Sequence, residues 1–286
     1  MNSPAGAHPP RTIRNIFLAS DFSEASEVAF AHALKLALIA RATLSILHVS
    51  TNGIADWTEY PGVRATLERW GILPPGSARS ALGWLGIEVR KVLAKDRDPV
   101  RAVLGYLAEH PTDLIVLATH HYDGPVRWQR KPVATPIARG ASEMTLFIPQ
   151  GTTGFVSQRD GSVSLRNFLI PIDSRPRPDS AVEAACRTAW ALQCPTATFT
   201  TVHVGAASGM PVVREEAHDD WSWRRVLRQG DVVDIIAQVA TETSADLIVM
   251  ATAGQHGFLD ALRGTTTERV LRRARCPLLA VPTSGD

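Results

Sequence analysis

Asp246-Leu-Ile-Val-Met-Ala-Thr-Ala-Gly254, then Gln255 to Arg263, then Gly264-Thr265-Thr266-Thr267-Glu268-Arg269-Val270, is the stretch that decides the fold. Leu247 to Met250 is a short, β-rich apolar run, the pattern of a parallel strand covered on both faces. Gly254 supplies the backbone freedom for a turn leaving that strand. Gly264 lets another group come close to the backbone where a helix begins. The amides of Thr265, Thr266 and Thr267 at that helix start, with their hydroxyls, suit a phosphate. The same residues also fit a purely structural strand–turn–helix connection, which α/β proteins use often.

The spacing narrows the choice. Glycine, nine residues, then Gly-Thr resembles the signature Gly-x-x-Gly-x9-Gly-[Ser/Thr] of the universal stress protein family. Gly254 and Gly264 stand at the second and third glycines, Thr265 at the hydroxyl position, and Ala251 replaces the first glycine. The tail Arg269 to Pro282 is similar to the family's last helix and last strand. The resemblance implies Rossmann-like α/β domains of the adenine nucleotide alpha hydrolase-like kind. It also implies ATP or another adenine nucleotide as ligand, with no metal beyond the magnesium that accompanies a nucleotide. Carried over position by position, the implied nucleotide-binding residues are Asp173, Val204, Met250, Ala251, Gly254, Gly264, Thr265 and Thr266. Asp173 fits equally well as an acceptor within its own Asp-Ser-Arg-Pro turn. Val204 and Met250 are core candidates first.

The chain repeats itself. Asp113-Leu-Ile-Val-Leu-Ala-Thr119 and Asp246-Leu-Ile-Val-Met-Ala-Thr252 differ at one position, at an offset of 246 − 113 = 133. Phe17 to Asp21 pairs with Leu169 to Asp173 at an offset of 152, and Leu47-His48-Val49 with Val202-His203-Val204 at 155. The fall from 155 to 133 removes 22 residues between the second and third strands of the second half. The first half fills that interval with a helix-like Glu59 to Trp70, a Pro74-Pro75-Gly76 breaker and a second helix-like piece. The second half has Gly205 to Trp221, which reads as a loop. The expected domains are therefore 1–150, a linker at 151–164 with hairpin character, and 165–286 with one helix fewer.

Strand–helix alternation in each half implies a five-stranded parallel sheet with helices on both faces. Ser23 is placed to cap a helix over Glu24 to Ala40, and Pro99 to open another. The last strands, Thr145 to Ile148 and Leu278 to Val281, are candidates for pairing two domains across a pseudo-twofold, within the chain or in a homodimer. That expectation comes from the family's dimers more than from the residues.

The first half departs from the motif. An offset of 133 sets His121 where the second half has Gly254, and Lys131-Pro132 where it has Gly264-Thr265. A histidine resists a left-handed turn, and a proline removes an amide donor. A phosphate cradle is expected in the second half alone. Asp21 reads as a turn residue.

Composition excludes much else. The chain has 286 residues, a hydrophobic content of 45% and a net charge of +2, which give no reason to expect nucleic acid or a membrane surface as partner. Three cysteines without CxxC spacing indicate neither a disulfide framework nor a zinc site. His120-His121 would point to opposite sides of a strand end, with no further ligand nearby in sequence. Arg269, Arg272, Arg273 and Arg275 fall at the end of a helix, where solvated cations offset its dipole. Trp221 and Trp223 alternate on one face of a strand, as core or interface residues. The absence of a signal-like leader and of long apolar runs leads to an expectation of a cytoplasmic protein. No catalytic set converges, so the expectation is a nucleotide-binding stress or regulatory protein rather than an enzyme. The alternative is a family member that binds no nucleotide and acts as a protein-interaction module.

Overall fold

The structure is a computed structural model, and it describes residues 13–50, 62–78, 80–119, 133–140, 143–253 and 265–283. The first half runs β1 (Asn15–Ala19), α1 (Glu24–Ala40), β2 (Thr43–Ser50), α2 (Val63–Arg69), α3 (Ala81–Trp84), β3 (Glu88–Lys95), α4 (Pro99–Glu109), β4 (Leu114–Thr119), α5 (Ala134–Gly140) and β5 (Met144–Pro149). The second runs β6 (Asn167–Pro171), α6 (Asp179–Ala191), β7 (Ala197–Val204), β8 (Trp221–Arg228), α7 (Val232–Glu242), β9 (Leu247–Thr252), α8 (Thr266–Leu271) and β10 (Leu278–Pro282). Between β7 and β8 the second half has a 3-10 turn at Ala207–Gly209, where the first half has α2 and α3.

Each half is a parallel sheet, and the two are one sheet. The strand order is β3-β2-β1-β4-β5-β10-β9-β6-β7-β8. All neighbours are parallel except β5 and β10, which pair antiparallel with Leu278 opposite Phe147, Leu279 opposite Leu146 and Ala280 opposite Thr145. The last strands of the two halves thus form the seam. Alternation along the strands sorts the core onto two faces. Leu18, Val116, Leu146, Phe168, Val249 and Leu279 face α1 and α6 on one side. Phe17, Ile115, Phe147, Leu169, Met250 and Leu278 face α4, α5, α7 and α8 on the other.

Local chemistry repeats with the sequence. Asp113 Oδ2 accepts from Arg14 N at 2.8 Å and Asn15 N at 2.9 Å. Asp246 Oδ2 accepts from Arg166 N at 2.9 Å and Asn167 N at 2.8 Å. A carboxylate before each half's fourth strand therefore anchors the start of its first strand, which fixes the register of the two central strands. Ser23 caps α1 as expected, its Oγ accepting from Ser26 N at 3.2 Å. Asp98 and Asp231 cap α4 and α7 in the same way.

The segment joining the halves folds back on the first. Val156 and Val163 form an antiparallel bridge. Gln158 O accepts from Trp70 Nε1 at 3.1 Å and Arg69 Nε at 3.2 Å. His32 on α1 is fully buried and holds the base of this turn. Its Nδ1 bonds Val28 O at 2.8 Å, while Nε2 accepts from Phe155 N at 2.9 Å and Val156 N at 3.1 Å. Two N–H donors converging on Nε2 require the neutral ring with its proton on Nδ1.

That requirement makes stability pH-dependent. Burial lowers the His32 pKa from 6.5 to about 4, against the smaller opposing effect of Val28 O. The folded state therefore refuses a proton that the unfolded chain accepts below its own pKa. The stabilisation is complete above about pH 6.5 and is lost as pH falls toward 4, to a total of about 3 kcal/mol. Urea midpoints at pH 7 and pH 4.5 for wild type and His32→Asn test this. The variant is expected to be less stable at pH 7 but to lose less between the two pH values. Parallel pH profiles would exclude this role for His32.

Candidate functional site

In each half the strand order reverses beside the first strand, between β1 and β4 and between β6 and β9. Ligands of open α/β sheets bind outside the carboxyl ends of the strands at that reversal. The second half has a cleft of about 420 Å³ there. Its walls come from five places in the chain: Pro171 to Asp173 with Arg175 and Pro176 after β6, Val202 and Val204 on β7, Val232 and Ile236 on α7, Met250 to Ala253 at the end of β9, and Thr265 to Thr267 at the start of α8. The volume lies in the range of small-molecule sites, and the lining has their usual makeup of apolar walls with a few polar groups.

Six of the eight residues singled out from the sequence meet in this cleft: Asp173, Val204, Met250, Ala251, Thr265 and Thr266. Gly254 and Gly264 lie outside the described residues, as do His121, Lys131 and Pro132 of the first half. Asp173 is exposed, and its Oδ1 accepts from Ser174 N at 2.6 Å, the turn bond that the sequence allowed. One Asp173 oxygen thus serves the turn, which leaves the other for a ligand. Met250 is buried, whereas Val204 and Ala251 are half-buried.

Thr265 differs from expectation in one respect. It is the N-cap of α8, and its hydroxyl oxygen accepts from Glu268 N at 3.3 Å, so its O–H donates elsewhere. The arginines of this region are exposed, as expected, and three of them also form ion pairs. Arg269 reaches Asp231 at 3.0 Å, Arg272 reaches Glu268 at 2.5 Å, and Arg273 pairs with Asp234. The Arg269 guanidinium beside Asp231 holds that carboxyl below its usual range. The Arg269 and Arg273 pairs tie α8 to α7, and both helices line the cleft.

The histidines at the ends of β2 and β7 are structural. His203 Nδ1 bonds Ile172 O at 3.1 Å, as His48 Nδ1 bonds Ser20 O at 2.8 Å in the first half. No group of three or more His, Cys, Asp or Glu residues suited to a metal occurs among the described residues. Burial pushes the Cys186 and Cys276 thiols up to about 12 and Cys194 to about 11, so all three are protonated at neutral pH. Trp221 and Trp223 pack on Phe199, with ring centroids 5.0 and 4.6 Å away. No described helix is long and apolar enough to cross a membrane.

Arg175, Pro176, Val202, Val232 and Ile236 were not foreseen. No feature of the sequence singled out Arg175 or Pro176. The α7 pair could be found only from packing.

The chain matches the model of the universal stress protein family over residues 12–149 and 212–282. It is 26% identical over 145 residues to a universal stress protein of Methanocaldococcus jannaschii, covering 43% of this chain and 85% of that one. A universal stress protein E homolog of Haemophilus influenzae is 36% identical over 58 residues, which span 20% of this chain and only 19% of that relative. The crystal structure of a universal stress protein from Archaeoglobus fulgidus shares the fold at a TM-score of 0.60 and 16% identity, covering 95% of this chain and 97% of that one. With the family match spanning the first half and β8 to β10 of the second, the chain belongs to the universal stress protein family.

Proposed function

We propose that the second half binds an adenine nucleotide such as ATP in the cleft at the ends of β6, β7 and β9, and that the protein acts in a stress response or in regulation rather than as an enzyme. The convergence of Asp173, Val204, Met250, Ala251, Thr265 and Thr266 on one cleft carries this reading. Ile172, Val202, Val204 and Met250 offer an apolar slot for a base, and Asp173 an acceptor for ribose or base N–H and O–H groups. The hydroxyls of Thr265, Thr266 and Thr267 offer donors for phosphate oxygens. Ala251 adds one methyl group where the family has a glycine, and it is a half-buried residue that packs against the core on the α1 and α6 side.

The first half is a poorer host. At an offset of 152, Phe22 stands where the second half has Ser174. Phe22 has a left-handed backbone at φ 62°, and its ring stacks on His48 with centroids 4.0 Å apart at 15°. Bulk at the strand ends thus supports one nucleotide per chain.

Calorimetric titration of ATP, ADP and AMP into the full chain is the test. One nucleotide per chain is expected. Ala251→Gly should change affinity by no more than about tenfold, roughly 1.4 kcal/mol. If no adenine nucleotide binds the wild type, the interaction-module reading replaces this one. Strong binding restored by Ala251→Gly would mark that methyl as the reason.

A further inference from the structure

The two halves connect their first strand to their first helix differently. β1 ends at Ala19 and α1 begins at Glu24, which leaves residues 20–23. β6 ends at Pro171 and α6 begins at Asp179, which leaves 172–178. The second loop is longer by three residues because α6 starts later, with 13 residues against the 17 of α1. The helix ends still match at the offset of 152, Arg41 at φ 50° and Gln193 at φ 51°. The short loop caps its helix through Ser23, whereas α6 starts after Pro178 with no side-chain cap. A helix cap is a dependable stabiliser, so a half that forgoes it for a longer loop uses the loop for something else.

At the offset of 152, Arg175 and Pro176 stand where the first half has Ser23 and Glu24 at its helix start, and here they line the cleft wall instead. Arg175 is the cation among the residues lining that cleft, and Asp173 is the anion. Nearby arginines are occupied: Arg177 pairs with Asp179 at 3.2 Å, and Arg269, Arg272 and Arg273 pair as described above. Arg175 has no carboxylate within ion-pair distance among the described residues, although Asp173 stands two positions away and faces the same cleft. A guanidinium held open on the wall of a cleft is suited to a phosphate, which its planar fork can bind through two parallel hydrogen bonds. Pro176 restricts the backbone beside it, which reduces the ordering cost of such a contact.

We propose that Arg175 is the specificity residue of this cleft: its guanidinium binds a phosphate ester on the ligand, so the cleft takes a phosphorylated adenosine in preference to the free nucleoside. The inference rests on the nucleotide reading above. A phosphate of the 5′ chain and a phosphate on the ribose 2′ or 3′ oxygen present the same chemistry to Arg175, and the ligands compared in the test separate them.

Adenosine, 5′-AMP, 3′-AMP, 2′-AMP and ATP are titrated calorimetrically into the full chain as wild type, Arg175→Gln and Arg175→Lys. Arg175→Gln is expected to weaken at least one phosphorylated ligand by about 10- to 100-fold and adenosine by less than about twofold, with Arg175→Lys intermediate. The ligand that loses most identifies the ester. If Arg175→Gln changes every phosphorylated ligand by less than about twofold, or weakens adenosine equally, the role of Arg175 is refuted while nucleotide binding stands. If the wild type binds none of the five, nucleotide binding itself is refuted, and this inference with it.

Discussion

Leu279→Asp is expected to unfold the chain or leave it barely folded at neutral pH. Leu279 is 4% exposed, lies opposite Leu146 in the β5–β10 seam and beside Val249 on β9, and faces the α1 and α6 side of the core. An aspartate there buries a carboxylate among aliphatic side chains with no cation to meet it. The apolar burial of leucine, worth about 2 kcal/mol, disappears at the same time. Together these exceed about 4 kcal/mol, a large part of the stability of an ordinary domain. Leu279→Val, which keeps a smaller apolar side chain at this strand position, should cost only about 1 kcal/mol. Urea unfolding followed by circular dichroism measures both. A Leu279→Asp midpoint near that of wild type would mean that the two halves do not share this seam in solution.

Gly154→Ala carries the second large effect, and it acts through a contact far from the seam. Gly154 has φ +64°, where a side chain is strained, and a Cβ built there would stand 2.3 Å from Cε1 and Nε2 of the His32 ring. The ring cannot retreat without breaking its bonds to Phe155 N, Val156 N and Val28 O. Backbone strain of about 1–2 kcal/mol and a steric shift of about 1–3 kcal/mol combine to a loss of about 3 kcal/mol. The two parts are separable. In a Gly154→Ala/His32→Ala double variant the clash is gone and only the strain remains, so the two substitutions should couple by more than about 1 kcal/mol. Additive effects would show that the ring and the turn do not press on each other.

Both variants probe features that the sequence reached only in part. The duplicated Asp-Leu-Ile-Val runs at 113–116 and 246–249 disclosed the repeat, and alternating strand and helix signals disclosed a parallel α/β sheet in each half. Those signals are local, because a buried parallel strand reads as an apolar run and a helix start as a capping residue. The glycine and threonine spacing at 254–265 was also local, and it carried the family and most of the cleft. Six of the selected residues converged because strand ends at the reversal of strand order are neighbours in any sheet of this topology.

Other features were decided by tertiary structure alone. No residue of β5 or β10 states that these strands pair antiparallel into one ten-stranded sheet, since apolar edge strands pair equally well with a second chain. The neutral state of His32 depends on two amides 123 and 124 positions away. The pairing of Arg269 and Arg273 with α7 required the two helices to be adjacent, and the sequence taken alone left those arginines as solvated charges. Arg175 is the clearest case. In the sequence it is one of several arginines beside prolines, and only the geometry of the cleft separates it from Arg177, which has a carboxylate partner. A sequence fixes which groups a chain carries and the period at which they recur. Which of them remain unpaired after folding depends on contacts between distant segments, and ligand recognition is built from those unpaired groups.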